Sequence, residues 1–275
     1  MIALLSGIAL SVWRTVLMVR YYDPYNNEYA LEASGALKSL GIILFMVFVV
    51  LATSALFLKR FEFRPFSASD HQSSVFTSAL LGFVFLASGV FATFYLKPIA
   101  ENFVSPLHQY AQTVSYVLLF FCALFFIVNA SGYPKFHNLK RILSFVVPIW
   151  GIAFLLGSYM DPAYNYKDYN HTLCNVAICA MTLFVLYDTQ MTVTGKPSPA
   201  YFVFSLISLV ASTVYMIPTF VLLAYWELSS NINHIFEAVL LATIFYTCTS
   251  IRNLCKVVKE KEIPETQTEV AETPA

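Results

Sequence analysis

Charge is what this chain has least of. Only 12% of its 275 residues are Asp, Glu, Lys or Arg, against 58% hydrophobic and 16% aromatic, and the mean hydropathy is +0.67. That composition leaves too little polar surface for a soluble globule and points to a protein of the lipid bilayer. The sixteen basic and sixteen acidic residues cancel. With no global positive field, nothing points to a nucleic-acid partner; a second membrane protein is the partner class left open.

Reactive groupings are equally sparse. The five cysteines, Cys122, Cys174, Cys179, Cys248 and Cys255, make no CxxC and no CxxC…HxxxH pattern, so no zinc or redox motif is present. Cys248 and Cys255 are one heptad apart and read as small apolar residues of one helix face. HExxH, GxSxG, paired glutamates of the EExxxR type and a phosphate-cradling glycine loop are all missing. No catalytic residue, metal site or cofactor is expected. Deep positions carry mostly hydroxyls, with Gln112 and Asn175 toward one face and Asp188 near the other, where it is expected to cap or to pair with Lys196.

What the chain does have is long apolar runs. A run of roughly 20 residues suffices to cross a hydrocarbon core about 30 Å thick, and eight are read, at about 1–19, 36–58, 75–96, 109–129, 142–159, 173–191, 200–226 and 232–251. The expected fold class is therefore all-α: a polytopic transmembrane helix bundle over residues 1–258. The first run lacks a basic leading region and a small-residue cleavage site, and reads as an uncleaved anchor. Residues 259–275, KEKEIPETQTEVAETPA, are polar and lack aromatics, and read as a disordered cytoplasmic tail.

The cations are sorted by side. Lys59, Arg60, Arg64, Lys135, Lys140, Arg141, Lys196, Arg252, Lys256, Lys259 and Lys261 fall on one side of the alternating spans; Arg20, Lys38, Lys97 and Lys167 fall on the other. The basic side is expected to be cytoplasmic, which with eight spans places both termini there, in a plasma membrane. The tyrosines of the other side, such as Tyr21, Tyr22, Tyr25, Tyr164 and Tyr166, fit an interfacial belt.

Local features fill in the bundle. Ser74, Ser78, Gly82 and Gly89 line one face of the third span, so that a neighbouring backbone can approach. Pro148 and Pro218 should bend the fifth and seventh spans, and the hydroxyls of Ser208, Ser212 and Thr213 are expected to satisfy the carbonyls that Pro218 frees. Tyr22, Asp23, Pro24, Tyr25, Asn26 is echoed by Met160, Asp161, Pro162, Ala163, Tyr164, Asn165; Ala87, Ser88, Val90 by Ala211, Ser212, Val214; and His108 by His234. These echoes raise the expectation of a tandem 4+4 parallel repeat, halves 1–134 and 135–258, related by an axis along the membrane normal.

The segment WRTVLMVRYYDPYNNEYALEASG, with an Arg near the end of a first apolar helix and a Leu-rich second span after it, resembles uncharacterised multi-spanning membrane proteins of anaerobic Gram-positive bacteria. The resemblance covers about 45 residues. It implies a bacterial plasma membrane and brings no activity or site residue with it.

The remaining polar signal lies in the outer third. Arg14 and Glu237 are at similar depth, each costly if it faces lipid; either Arg14 snorkels outward toward Asp23 or lipid phosphate, or the two form a buried ion pair joining the first span to the last. Asp23, His108, Asp161, His171 and His234 are the candidates for an outer-face binding site. Three function classes follow: a non-enzymatic sensor, scaffold or accessory subunit; a permease for a small or lipid-like solute; and an enzyme with an outward-facing site.

Overall fold

Helices are the way this chain satisfies its backbone, because lipid offers no hydrogen bonds to a stray N–H or C=O. The computed structural model describes residues 2–23, 28–57, 72–95, 106–132, 136–160, 169–194, 198–226 and 234–261. They form α1 (Ile2–Tyr21), a hairpin of β1 (Tyr22–Asp23) and β2 (Glu28–Tyr29), α2 (Ser34–Phe57), α3 (Gln72–Tyr95), α4 (Pro106–Ser131), α5 (His137–Leu143), α6 (Val146–Met160), α7 (Tyr169–Thr194), α8 (Pro199–Trp226) and α9 (His234–Lys261). Among the described residues, seven segments are long and apolar enough to cross a membrane: α1 to α4, the α5–α6 unit, α7 and α8. Long α9 is additional to these.

Local chemistry sets the breaks. Pro106 and Pro199 open α4 and α8 at the position where a missing N–H costs nothing. Gly132, with φ 64°, stops α4 in the left-handed conformation that glycine adopts without strain. Pro148 does more than bend the fifth span. It removes the donor for the carbonyl of Ser144, and the helix breaks at Ser144 and Phe145 into α5 and α6. Ser144 Oγ bonds back to Arg141 O at 2.6 Å across that break. At the other end of the molecule the loop expected after α1 opens with paired strands, Tyr22 opposite Tyr29 and Asp23 opposite Glu28, with the two tyrosine rings 5.0 Å apart.

Helices α3, α4, α5–α6, α7, α8 and α9 each pack on their successor, and α9 returns to α3, which closes a ring. α1 and α2 lie outside it, both against α8. The interior of the ring is aromatic. Phe85 of α3 stacks on Phe126 of α4 at 5.5 Å and meets Trp150 of α6 edge-on at 5.2 Å. Tyr246 of α9 lies 5.6 Å from Phe126 and 6.0 Å from Phe184 of α7, which in turn lies 5.6 Å from Tyr201 of α8. All six are buried.

Both expected halves, 1–134 and 135–258, contribute to the ring: α3 and α4 come from the first, α5 to α9 from the second. The tail changes: α9 runs to Lys261, so residues 259–261 are helical, while 262–275 lie outside the described residues.

The small-residue face of α3 works as expected against α4, while Ser74 turns to α9 and bonds Asn253. A Cβ on Gly82 would stand 3.0 Å from Ile127 Cγ1 and 3.1 Å from Ala123 O. Gly151 does the same for α6 and α7, where a Cβ would collide with Thr182 Oγ1 and lie 2.7 Å from its Cγ2. In lipid, such close packing carries the helix association that hydrophobic burial drives in water. Gly82→Leu and Gly151→Leu should each lower the unfolding free energy in detergent by about 1–3 kcal/mol, the scale of overpacking. Gly35→Ala, whose Cβ meets nothing within 4 Å, should leave it unchanged.

Candidate functional site

The site begins with a defect in α8. Pro218 has no N–H, so the carbonyl of Val214, four residues earlier, loses its helical donor and is pushed outward by the proline ring. α8 nevertheless continues through Pro218 as one helix, so the interruption is local. Arg14 of α1 fills the gap: its Nη1 donates to Val214 O at 2.7 Å and to Tyr215 O at 2.9 Å. One turn earlier, Ser11 Oγ stands 3.0 Å from Thr213 O. Gly7 lets the helices come this close, since a Cβ there would already be 3.4 Å from Thr213 Cβ. The buried stripe of α1, Ala3, Gly7, Leu10, Ser11, Arg14, Leu17 and Met18, is thus its α8 face.

The donors expected to repair the Pro218 defect do other things. Thr213 Oγ1 bonds back to Leu209 O at 2.6 Å, and the buried hydroxyls of Ser208 and Ser212 have no partner among the described residues. A guanidinium repairs the helix better than a hydroxyl because it spans two carbonyls from one nitrogen and carries charge.

Arg14 is completely buried. Its Nη2 donates to Asn170 Oδ1 at 2.8 Å, an oxygen that also accepts from Tyr29 Oη at 2.9 Å. Its Cζ lies 5.4 Å from the centre of the Tyr215 ring, within cation–π range. Tyr215 in turn donates from its hydroxyl to Glu237 Oε1 at 3.3 Å. Glu237 is buried as well, and the expected Arg14–Glu237 pair is linked in the described residues through Tyr215. Two carbonyls and an amide oxygen take three of the guanidinium's four Nη hydrogens, and Tyr215 stands between the cation and the carboxylate.

The other candidates divide. His171 joins α7 to α6: its Nε2 lies 3.1 Å from Ser158 Oγ and 3.2 Å from Asn175 Nδ2, and Ser158 Oγ donates to Asn175 Oδ1 at 2.8 Å. His108 is buried on α4 with its Nε2 2.9 Å from Gln112 Nε2. Asp23 is exposed on β1. His234 opens α9, but its side chain lies outside the described residues, as does Asp161. Among the described residues, no group of three or more His, Cys, Asp or Glu is placed to hold a metal ion.

A second buried polar chain lies toward the other end of the bundle. Tyr246 Oη donates to Asp188 Oδ2 at 2.6 Å, Asn129 Nδ2 reaches Tyr246 Oη at 3.5 Å and Ser78 Oγ at 3.2 Å, and Ser78 Oγ donates to Phe126 O at 3.0 Å. It ties α7, α9, α4 and α3 together. The expected partner Lys196 lies outside the described residues; the cation close enough to act on Asp188 is Lys140. Asn170, Tyr215 and Tyr246 were the residues the sequence did not single out, and Tyr29 was read only as one of the interfacial tyrosines. A signal existed instead for the Val214 carbonyl: a lone intramembrane Arg implies an acceptor, and the carbonyl four residues before an intrahelical proline is one.

Replacing Tyr246 by Phe deletes the donor to Asp188, and Asn170→Leu deletes the acceptor shared by Arg14 and Tyr29. Each should lower the unfolding free energy in detergent by about 1–3 kcal/mol, the cost of leaving a buried polar group unmatched. Ser39→Ala, at an exposed hydroxyl of α2 bonded among the described residues to Gly35 O of its own helix, is the control and should have no measurable effect. No family model, curated protein or solved structure matches this chain.

Proposed function

We propose that the chain is a non-enzymatic module of a bacterial plasma membrane, an accessory subunit or scaffold, with eight spans and both termini in the cytoplasm. One observation carries this reading: the ring is filled at its centre by Phe85, Phe126, Trp150, Phe184, Tyr201 and Tyr246, contributed by all six of its elements and all buried. Aromatic packing of this kind resists the rearrangement that alternating access requires. The carbonyls beside Pro218, which a transporter would offer to its substrate, are taken by Arg14. α2 supports a partner: it packs chiefly along α8 and α1 and leaves Ile42, Phe45, Met46 and Val50 exposed.

A carrier for a small or lipid-like solute is the second reading, favoured by the interruption at Pro218 in α8. Flux separates the two. Purified protein in proteoliposomes should show no uptake or lipid scrambling above protein-free vesicles; saturable flux abolished by Pro218→Ala would favour the carrier. For orientation, single cysteines at Asn27 and Asn165 in a cysteine-free background should react with an impermeant thiol reagent on intact cells. A cysteine at Gln267 should not.

A further inference from the structure

Buried hydroxyls in this bundle have a routine solution. Ser11, Thr182, Thr189, Thr213 and Thr243 each donate to the carbonyl four residues earlier in their own helix, at 2.6–2.8 Å. Ser208 and Ser212 of α8 and Thr247 of α9 do not. All three are fully buried, and their hydroxyls have no hydrogen-bond partner among the described residues. A hydroxyl in such a place is costly unless something polar reaches it.

The two serines belong to a longer stripe. Tyr201, Ser205, Ser208, Ser212 and Tyr215 follow one another at intervals of four, three, four and three residues, so they share one face of α8, and all five are buried. Val210 and Thr213, which meet Gly7 of α1, lie on the opposite side, so the stripe looks into the ring. Neighbours at this spacing have Cβ atoms about 5–6 Å apart, a gap that one water spans with a hydrogen bond to each side. Ser205 donates to Phe202 O at 3.0 Å and keeps its lone pairs as acceptors.

Each end of the stripe leads to a carboxyl group. Tyr215 donates to Glu237 Oε1 at 3.3 Å. Tyr201 lies within electrostatic reach of Tyr246, the two rings flanking Phe184, and Tyr246 donates to Asp188 Oδ2 at 2.6 Å. These pairings make α9 antiparallel to α8, which brings Thr247 to the depth of Ser205: each lies ~15 Å along its helix from the Tyr215–Glu237 bond. From Tyr201 to Tyr215 the axis covers ~21 Å, most of a hydrocarbon core about 30 Å thick. The charged and titratable neighbours of the two ends are Arg14 and Cys174 beside Tyr215, and Lys140 beside Asp188.

We propose that this face of α8 is a proton pathway, a file of hydroxyls and single waters that carries protons between Glu237 at the hairpin end and Asp188 at the Lys140 end. A proton taken up by Glu237 moves on as each oxygen of the file accepts one hydrogen and passes its own to the next, and Asp188 releases the last to water. Nothing is oxidised, and no atom but hydrogen is transferred. Glu237 and Asp188 keep 5% and 8% of their surface exposed, which gives the file an opening at each end. The pathway requires no helix to move, so it is compatible with the packed aromatic centre, goes beyond the accessory-subunit reading and does not depend on it.

The informative variant is the pair Ser208→Ala and Ser212→Ala, which removes two hydroxyls and no hydrogen bond made within the described residues. Full-length protein in proteoliposomes, with a potassium diffusion potential set by valinomycin and a pH-sensitive dye inside, should pass protons faster than protein-free vesicles. In the serine pair that flux should fall about ten-fold, the effect of a missing link in a hydrogen-bonded relay, with the melting temperature in detergent unchanged. Glu237→Gln should lower it as well; if that variant does not fold, the serine pair decides alone. Ser39→Ala, outside the ring, should keep the native flux. Flux no greater than in protein-free vesicles, flux that the serine pair leaves unchanged, or flux lost only together with the fold overturns the proposal.

Discussion

A proline in the middle of a membrane helix and an arginine in the middle of another are each unfavourable, and here each relieves the other. Pro218 leaves the Val214 carbonyl without a donor; Arg14 brings buried donors that need acceptors, and its Nη1 bonds Val214 O and Tyr215 O at 2.7 and 2.9 Å. The contact fixes the register of α1 along α8 to within a residue, because only one level of α8 exposes a carbonyl of this kind. The rest of the hairpin-end architecture follows from that register. α1 carries the hairpin, whose Tyr29 reaches Asn170, and Asn170 brings the start of α7 to the same guanidinium.

The two polar chains and the aromatic centre divide the labour of holding a bundle in lipid. Apolar surface has little preference between lipid and protein, so association depends on dense packing and on polar groups that find one another. The aromatic cluster and the close approaches at Gly82 and Gly151 supply the packing. The Tyr246–Asp188 and Asn129–Ser78 bonds supply specificity for the ring, since each member is matched by a residue from a different helix. The Arg14 chain does the same for the outer helix α1.

Much of this was legible in the sequence, for definite reasons. Apolar run length located the helices, and the small residues of α3 identified the face that meets α4, because both signals are local. Pro148 announced a bend and produced a break. The depth of Arg14 and Glu237 was readable, whereas Asn170 and Tyr215 as their side-chain partners were not, since nothing local in the sequence marks a partner on another helix. The order of contacts around the ring was not legible either, because short echoes such as Asp23–Pro24 and Asp161–Pro162 carry no information about neighbours, and that order is decided by long-range packing. The hairpin pairing of Tyr22 with Tyr29 spans too few residues for alternation to register.

The mutual dependence of Arg14 and Pro218 is the claim on which the account rests, and a double-mutant cycle tests it directly. Unfolding free energies in one detergent are needed for the native chain, Arg14→Gln, Pro218→Ala and the double variant. Restoring an amide at position 218 returns a donor to Val214 O, so the loss caused by Arg14→Gln should shrink by about 1 kcal/mol or more when Pro218→Ala is also present. Additivity of the two substitutions within about 0.5 kcal/mol would contradict the account and show that the arginine and the proline act independently.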